Sequence, residues 1–270
     1  MGNLIFGSPL AMATGLKSVM EMCLGIDGWK ADADAAIAIA APLDPISHVN
    51  AIMWKYVSSV PIGAVAAGAT ALAETADALR LAEQTGDDFI LGLARLAHGI
   101  TQIEHGGPDR DEGLALLNQA RDSAQRGRFA RVVMPIVEPQ IARDRARNGD
   151  LDGAIEMARS VLDNDYETCE MTWLWLATTV LVESLLDRSA DDDLQKAQAA
   201  IDRLAVSSLD PDCLLNALTV LRLRALVARA HGDASAHREL MAPFHARAAA
   251  AGFEPLVAGA VEHLHGTAVE

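Results

Sequence analysis

Apolar residues recur every three or four positions along most of this chain, which is the spacing of one face of an α-helix. In residues 87–104, for example, the stripe contains Phe89, Leu93, Leu96 and Ile100. Each apolar segment is followed by a second segment with the same spacing and more charge. Long stretches lack the alternating Val, Ile and Thr of a half-buried strand. The pattern therefore predicts an all-α protein in which apolar helices alternate with more polar ones.

Short turns of similar chemistry separate the two helices of the later predicted pairs. In residues 146–156, Gly149 can adopt the positive φ that ends a helix, and the carboxylate of Asp150 can cap the next helix. Aspartates in equivalent turns lie 41, 41 and 42 residues apart, at Asp109, Asp150, Asp191 and Asp233. A fixed period of this size is typical of helical solenoids. The sequence therefore predicts a right-handed superhelix of about six antiparallel helix pairs.

The predicted pairs follow one another without a linker rich in Ser, Gly or Pro, so we expect one array across residues 1–270. Residues 253–265 are predicted to form a C-terminal capping helix. Pro139 falls inside a predicted helix and should bend it. The predicted pairs are 10–24 with 31–41, 46–60 with 70–85, 87–104 with 109–125, 132–148 with 151–162, 170–186 with 192–205, and 211–230 with 234–251.

Charge and composition narrow the classes of partner. The chain has 37 acidic and 22 basic residues, a net charge of −15, which argues against nucleic acid or an anionic membrane as a partner. Three cysteines without C-x-x-C spacing fit reduced thiols. Neither a basic, apolar N-terminal signal nor an apolar run long enough to span a membrane is present. We therefore expect a cytoplasmic protein.

The turn and helix at 149–156 resemble those of tetratricopeptide repeats, in which small residues let paired helices approach closely. The period of 41 residues exceeds the roughly 34 of that repeat and is nearer to the HEAT class. The resemblance implies a tetratricopeptide-like superhelix with lengthened helices.

A closer resemblance covers nearly the whole chain. It is carried by residues 2–11, 54–56, 86–89, 91–95, 142–150 and 182–188. These segments are similar to the C-terminal helical region of actinobacterial signalling proteins, which join a class III adenylate/guanylate cyclase domain to an AAA-type or STAND-type ATPase. The resemblance implies a regulatory, partner-sensing role. Because no cyclase or ATPase motif lies in these 270 residues, we expect a non-catalytic protein-interaction module. The alternative is a stand-alone helical scaffold.

Candidate binding residues stand out within the apolar helices. Trp54, Trp173 and Trp175 can line a ligand-binding groove, although tryptophans on such helices are usually part of the core. Side chains two residues apart diverge on a helix, so one of Trp173 and Trp175 should point away from the packed stripe. Glu138 and Glu183 can form a buried carboxylate pair. Interhelical hydrogen bonding or exposure in a groove is the more common explanation for such residues.

No catalytic, metal or cofactor site is predicted. Residues 7–18 have the composition of a phosphate-binding loop but not its order. The histidines lack the spacing of a helical metal site. A run of arginines can form a basic patch that binds an acidic partner, or a solvated surface with interleaved acids. The run is Arg121, Arg126, Arg128, Arg131, Arg143, Arg145 and Arg147.

The first predicted helix is apolar on almost all sides. Its candidate interface residues are Leu16, Val19, Met20 and Leu24. Because both faces require cover, we expect a homodimer or a bound partner through this N-terminal helix. The other expected ligand is a protein segment or a small effector held on the concave surface of the array.

Overall fold

The computed structural model describes residues 7–127, 131–207, 213–253 and 256. Its regular elements there are twelve α-helices, with short 3-10 helices at Gly107–Asp109 and Arg131–Val133, which confirms the all-α prediction. The helices are α1 (Pro9–Leu24), α2 (Trp29–Ala40), α3 (Pro45–Ser59), α4 (Ala69–Thr85), α5 (Asp88–His105), α6 (Arg110–Gln125), α7 (Met134–Arg147), α8 (Leu151–Thr168), α9 (Leu174–Arg188), α10 (Asp193–Ser207), α11 (Leu214–Ala230) and α12 (Ala234–Ala250).

Most observed bounds lie close to the predicted ones, and the largest difference is at the end of α8. This helix was predicted to end near residue 162 but continues to Thr168. It ends at Cys169, whose positive φ of 58° terminates the helix while its N–H donates to the carbonyl of Asp165. The residues after it form a turn, so α9 begins at Leu174 and not at residue 170.

The aspartates of the repeating turns do not all act as predicted. The carboxylate of Asp150 accepts a hydrogen bond, at 3.0 Å, from the main-chain N–H of the third residue after it. The carboxylate of Asp233 accepts hydrogen bonds from the main-chain N–H groups of the second and third residues after it. Asp109 precedes α6 but makes no side-chain capping bond. In the turn that contains Asp191, it is Asp193 that accepts, from the N–H three residues earlier at 3.0 Å. The regular spacing therefore reflects the turns more than a uniform capping bond.

Contacts divide the chain into two compact units, residues 1–131 with 251–270, and residues 132–250. In the first unit α3 packs against α1, α2, α4 and α5, and α6 packs against α5. Gly99 on α5 and Gly113 on α6 allow a close crossing, because a Cβ at Gly99 would lie 2.9 Å from the carbonyl oxygen of Gly113. These two glycines therefore let α5 and α6 cross closely.

The first unit also includes the end of the described chain. The ring of Trp29 on α2 lies edge-on to Phe253, with centroids 6.0 Å apart, and Phe253 is completely buried. The main-chain N–H of Leu256 donates to the carbonyl of Gly63 at 2.9 Å. Apart from Phe253 and Leu256, the predicted capping helix at 253–265 lies outside the described residues.

In the second unit α9 packs against α7, α8, α10 and α11, and α12 packs against α11. The first helices α7 and α11 therefore both neighbour α9, and each of the three also contacts the helix that follows it. The expected excess of charge on the second helix does not hold for α7 and α8, since five of the 14 residues of α7 are charged and six of the 18 residues of α8. Pro139 lies inside α7, as predicted, and is buried. A single array across residues 1–270 stays a prediction. None of the helices in the described ranges combines the length and hydropathy needed to cross a bilayer.

Candidate binding surface

Trp173 and Trp175 are both buried, with exposed fractions of 9% and 4%. Their ring centroids are 6.2 Å apart and the ring planes are inclined at 44°. The expectation that one ring would point away from the packing is wrong. Trp173 lies before the first residue of α9 with φ −113° and ψ 8°, so the helical divergence of positions i and i+2 does not apply. Ligand binding by either ring stays a prediction.

Trp54 is part of the contact between α1 and α3. A Cβ added at Gly15 of α1 would lie 3.5 Å from the Cβ and Cδ1 atoms of Trp54, which is ordinary van der Waals contact. The indole is partly buried, and its Nε1 has no hydrogen-bond partner among the described residues. Packing against the Gly15 face explains the position of this side chain, and a ligand role for it stays a prediction.

Glu183 lies at the centre of a group of arginines on the first helices of the second unit. Arg222 of α11 donates from Nη2 to Oε1 of Glu183 on α9, and the two side chains are 29% and 30% exposed. Burial opposes ionisation of Glu183, but the charges of Arg222, Arg143 and Arg147 outweigh it and lower the pKa of this carboxyl. Glu183 is therefore ionised in a positive electrostatic environment.

The group extends one helical turn further along α9 to Asp187. Burial raises the pKa of Asp187, the charge of Glu183 adds to this effect, and the charge of Arg229 on α11 opposes it. We call the whole set the α7–α9–α11 charge cluster: Arg143, Arg147, Glu183, Asp187, Arg222 and Arg229. The cluster contains four guanidinium groups and two carboxylates on a strongly acidic chain.

Glu138 has a different set of neighbours from Glu183. It is partly buried on α7, and its charge helps to raise the pKa of Asp165 on α8. Asp165 is 1% exposed, and its pKa is raised to about 6, first by burial and then by the charges of Glu170 and Glu138, against a hydrogen bond from Asn164. Glu183 is paired with Arg222 instead. The structure therefore gives no support to a Glu138–Glu183 carboxylate pair.

The first helix exposes a narrower face than predicted. Val19 is 7% exposed and Leu16 is partly buried, whereas Met20 and Leu24 are 51% and 40% exposed. Val19 is therefore largely covered within the chain, and an interface role for it stays a prediction. The exposed apolar side chains of this region are Leu10, Met20, Leu24 and Ile26.

Sequence reasoning missed Asp187, Arg222 and Arg229. Arg143, Glu183 and Arg222 are 40 and 39 residues apart, close to the repeat period, and this spacing was the signal that could have grouped them. Of the predicted basic run, Arg143 and Arg147 belong to the cluster, whereas Arg145 lies 4.0 Å from Asp150. Arg128 is outside the described residues.

The cluster presents guanidinium groups from α7 and α11, which both pack against α9, on a partly exposed surface, which suits recognition of carboxylates or other anions. Within the described ranges, no group of three or more His, Cys, Asp or Glu residues could hold a metal ion. No family model matches the chain, and neither a curated protein nor a solved structure matches it.

Proposed function

We propose that this chain is a non-catalytic regulatory module that binds a protein segment on the faces of its first helices. The observation that carries the proposal is the α7–α9–α11 charge cluster. We further propose that the helices form about six antiparallel pairs in a right-handed superhelix, so that the first helices line its concave surface. Packing of α7, α9 and α11 side by side supports this arrangement. By the resemblance to cyclase/ATPase signalling proteins, binding would regulate the output of a signalling protein.

Stability alone is a weak reason for such a cluster. Partly exposed ion pairs contribute roughly 0–1 kcal/mol each, and unbalanced like charges repel one another. Arg222 and Glu183 each keep nearly a third of their side-chain surface exposed, so a partner can reach this pair from solvent. A partner with complementary charges would contact it there, which is the physical reason for assigning binding to this surface.

Site-specific photo-cross-linking tests this surface. A photoreactive residue replaces Leu226, one helical turn after Arg222 on α11, and a control variant carries it at the exposed Ala199 on α10. We expect one partner to be cross-linked from position 226 and not from 199. An excess of the chain without the photoreactive residue should reduce this cross-link. The partner is identified by mass spectrometry and its binding is measured again with purified proteins. Equal cross-linking from both positions would contradict the assigned surface.

The non-catalytic part of the proposal is tested separately. The purified chain should not turn over ATP or GTP, because the order of residues 7–18 departs from a phosphate-binding loop. Turnover that one point substitution abolishes would overturn this part of the proposal.

A self-associating scaffold is the second candidate, favoured by the exposed apolar side chains in and directly after α1. Leu10, Met20, Leu24 and Ile26 are between 40% and 63% exposed, and exposed apolar patches often mark interaction sites. Sedimentation should then show a dimer that Met20→Glu dissociates, whereas Ala38→Glu on the exposed part of α2 should not. A monomer at high protein concentration would remove this candidate.

A further inference from the structure

A short segment after α12 lies on the surface of the first unit, and we call its residues 251–253 the strap. α12 ends at Ala250, and the positive φ of 71° at Gly252 turns the chain away from the helix. Phe253 then packs beside Trp29 of α2, where it is completely buried. Because the strap is not part of a helix, it can leave this surface without unfolding of a helix.

The surface contacts the strap through its main chain and through one aromatic ring. Nε1 of Trp29 donates to the carbonyl of Ala251 at 3.4 Å, and Nζ of Lys30 donates to the carbonyl of Gly252 at 2.7 Å. The ring of Phe253 lies edge-on to the indole. Hydrogen bonds to the main chain together with a pocket for a side chain are a general mode of peptide recognition. The contacts of the strap are therefore those of a bound peptide.

Gly63 extends this surface to the third residue after Phe253. Its carbonyl accepts from the main-chain N–H of Leu256 at 2.9 Å. A Cβ at Gly63 would lie 3.3 Å from the main-chain N and Cα atoms of Leu256, closer than ordinary van der Waals contact. Gly63 also has a positive φ of 73°, which a larger residue rarely adopts. The surface is thus shaped for close approach of another main chain.

We propose that the surface formed by Trp29, Lys30 and Gly63 binds a segment of a partner protein that is anchored by a phenylalanine, and that the strap occupies this site as an autoinhibitory contact. The chemistry of the partner is that of the segment seated there, a phenylalanine followed three residues later by an apolar residue. The inference goes beyond the proposed function, because the site belongs to the first unit and the α7–α9–α11 charge cluster to the second.

A tethered occupant makes the site selective. The strap competes with a partner at an effective concentration of about 1 mM, as is typical of short connections. A free peptide with the same contacts and an intrinsic Kd of about 0.1 mM would therefore bind the intact chain roughly tenfold more weakly than a chain whose strap cannot fill the site. Only a partner that binds more tightly, or that is held nearby by a second contact, displaces the strap.

Fluorescence anisotropy measures this competition with a fluorescein-labelled peptide that has the sequence of residues 249–258. The same peptide with alanine in place of its phenylalanine is the control probe. We expect the full chain with Phe253→Ala to bind the peptide about tenfold more tightly than the unaltered chain. Phe89→Ala is the matched control variant, because it removes the same ring from α5 in the same unit and should stay within about twofold of the unaltered chain.

A second measurement uses the unaltered chain, so it does not depend on the folding of a variant. The peptide carries a photoreactive phenylalanine analogue at its phenylalanine and is irradiated with the chain at millimolar concentration. Mass spectrometry should place the cross-link on α2 at or next to Trp29, and unlabelled peptide should compete for it.

Equal peptide binding by the unaltered chain and by Phe253→Ala, with circular dichroism melts showing both folded, would overturn the autoinhibitory contact. Equal binding of the phenylalanine and alanine peptides, or cross-links away from α2, would overturn the site itself. Dimers of the unaltered chain that Phe253→Ala abolishes would identify a second copy as the occupant and overturn the partner segment. None of these results changes cross-linking from position 226, so the proposed function is tested separately.

Discussion

The crossing of α5 and α6 gives the sharpest test of how closely the helices of this chain pack. Gly99→Ala places a Cβ 2.9 Å from the carbonyl oxygen of Gly113 and 3.0 Å from Cδ2 of Leu117. A helix carbonyl cannot move without its helix, so one helix must shift. Overpacking of this kind costs about 1–3 kcal/mol, whereas replacing a mid-helix glycine by alanine gains up to about 1 kcal/mol. We expect a net destabilisation of about 1–2 kcal/mol.

Gly15→Ala is the matched control, because Gly15 also lies within a helix and is buried. A Cβ there would lie 3.5 Å from Trp54, an ordinary contact distance, so only the gain in helix propensity remains. We expect this variant to be more stable by up to about 1 kcal/mol. Urea unfolding followed by circular dichroism measures both variants. If Gly99→Ala is as stable as Gly15→Ala, the close crossing of α5 and α6 is wrong.

Three further predictions concern buried ionisable groups, and urea unfolding over a pH series measures all of them. Burial lowers the pKa of His98, so stability should fall as the pH drops below the ordinary value of about 6.5, and His98→Gln should remove this step. The pKa shift of Asp165 has the opposite sign. Its pKa is raised to about 6, so ionisation of its carboxyl lowers the free energy of unfolding as the pH rises from about 4 to about 6. Asp165→Asn should then stabilise the chain at pH 7 by up to about 3 kcal/mol and have no effect below pH 4. Arg188 donates to Asp193, whose side chain is 1% exposed, and to the 84% exposed Asp152. Arg188→Ala should lower the urea midpoint more than Asp152→Ala, and equal effects would contradict the importance of the buried pair.

Helix type and order could be predicted from the sequence because apolar spacing and turn chemistry are local. Gly149 has the expected positive φ of 87°, and Asp150 forms the expected cap. The end of α8 could not be predicted, because it depends on Cys169, a non-glycine residue with φ 58°, and the sequence around it contains no signal for the end of a helix. The start of α9 was therefore placed too early. The wrong expectation for the ring of Trp173 followed, because a rule for residues on one helix was applied across a helix boundary.

The face that a residue occupies was harder to predict than its helix. Val19 and Met20 are adjacent apolar residues of α1, yet one is 7% and the other 51% exposed. Composition cannot separate them, because the choice depends on how α2 and α3 pack against α1. Glu183 was singled out as an unusual charge in an apolar helix, but its partner Arg222 lies 39 residues away, and only packing of α9 against α11 brings the two together.

Position along the helices separates the members of the charge cluster into two kinds. Arg147 is the last residue of α7, and Arg229 is next to the last residue of α11, where a cation interacts favourably with the helix dipole and the free carbonyls. Helix stability therefore accounts for these two arginines without a ligand. Arg222 lies eight residues before the end of α11, and Glu183 five before the end of α9, beyond the reach of that effect. Glu183 and Arg222 instead form an ion pair between α9 and α11, and the binding proposal rests on the exposed part of this pair more than on the helix ends.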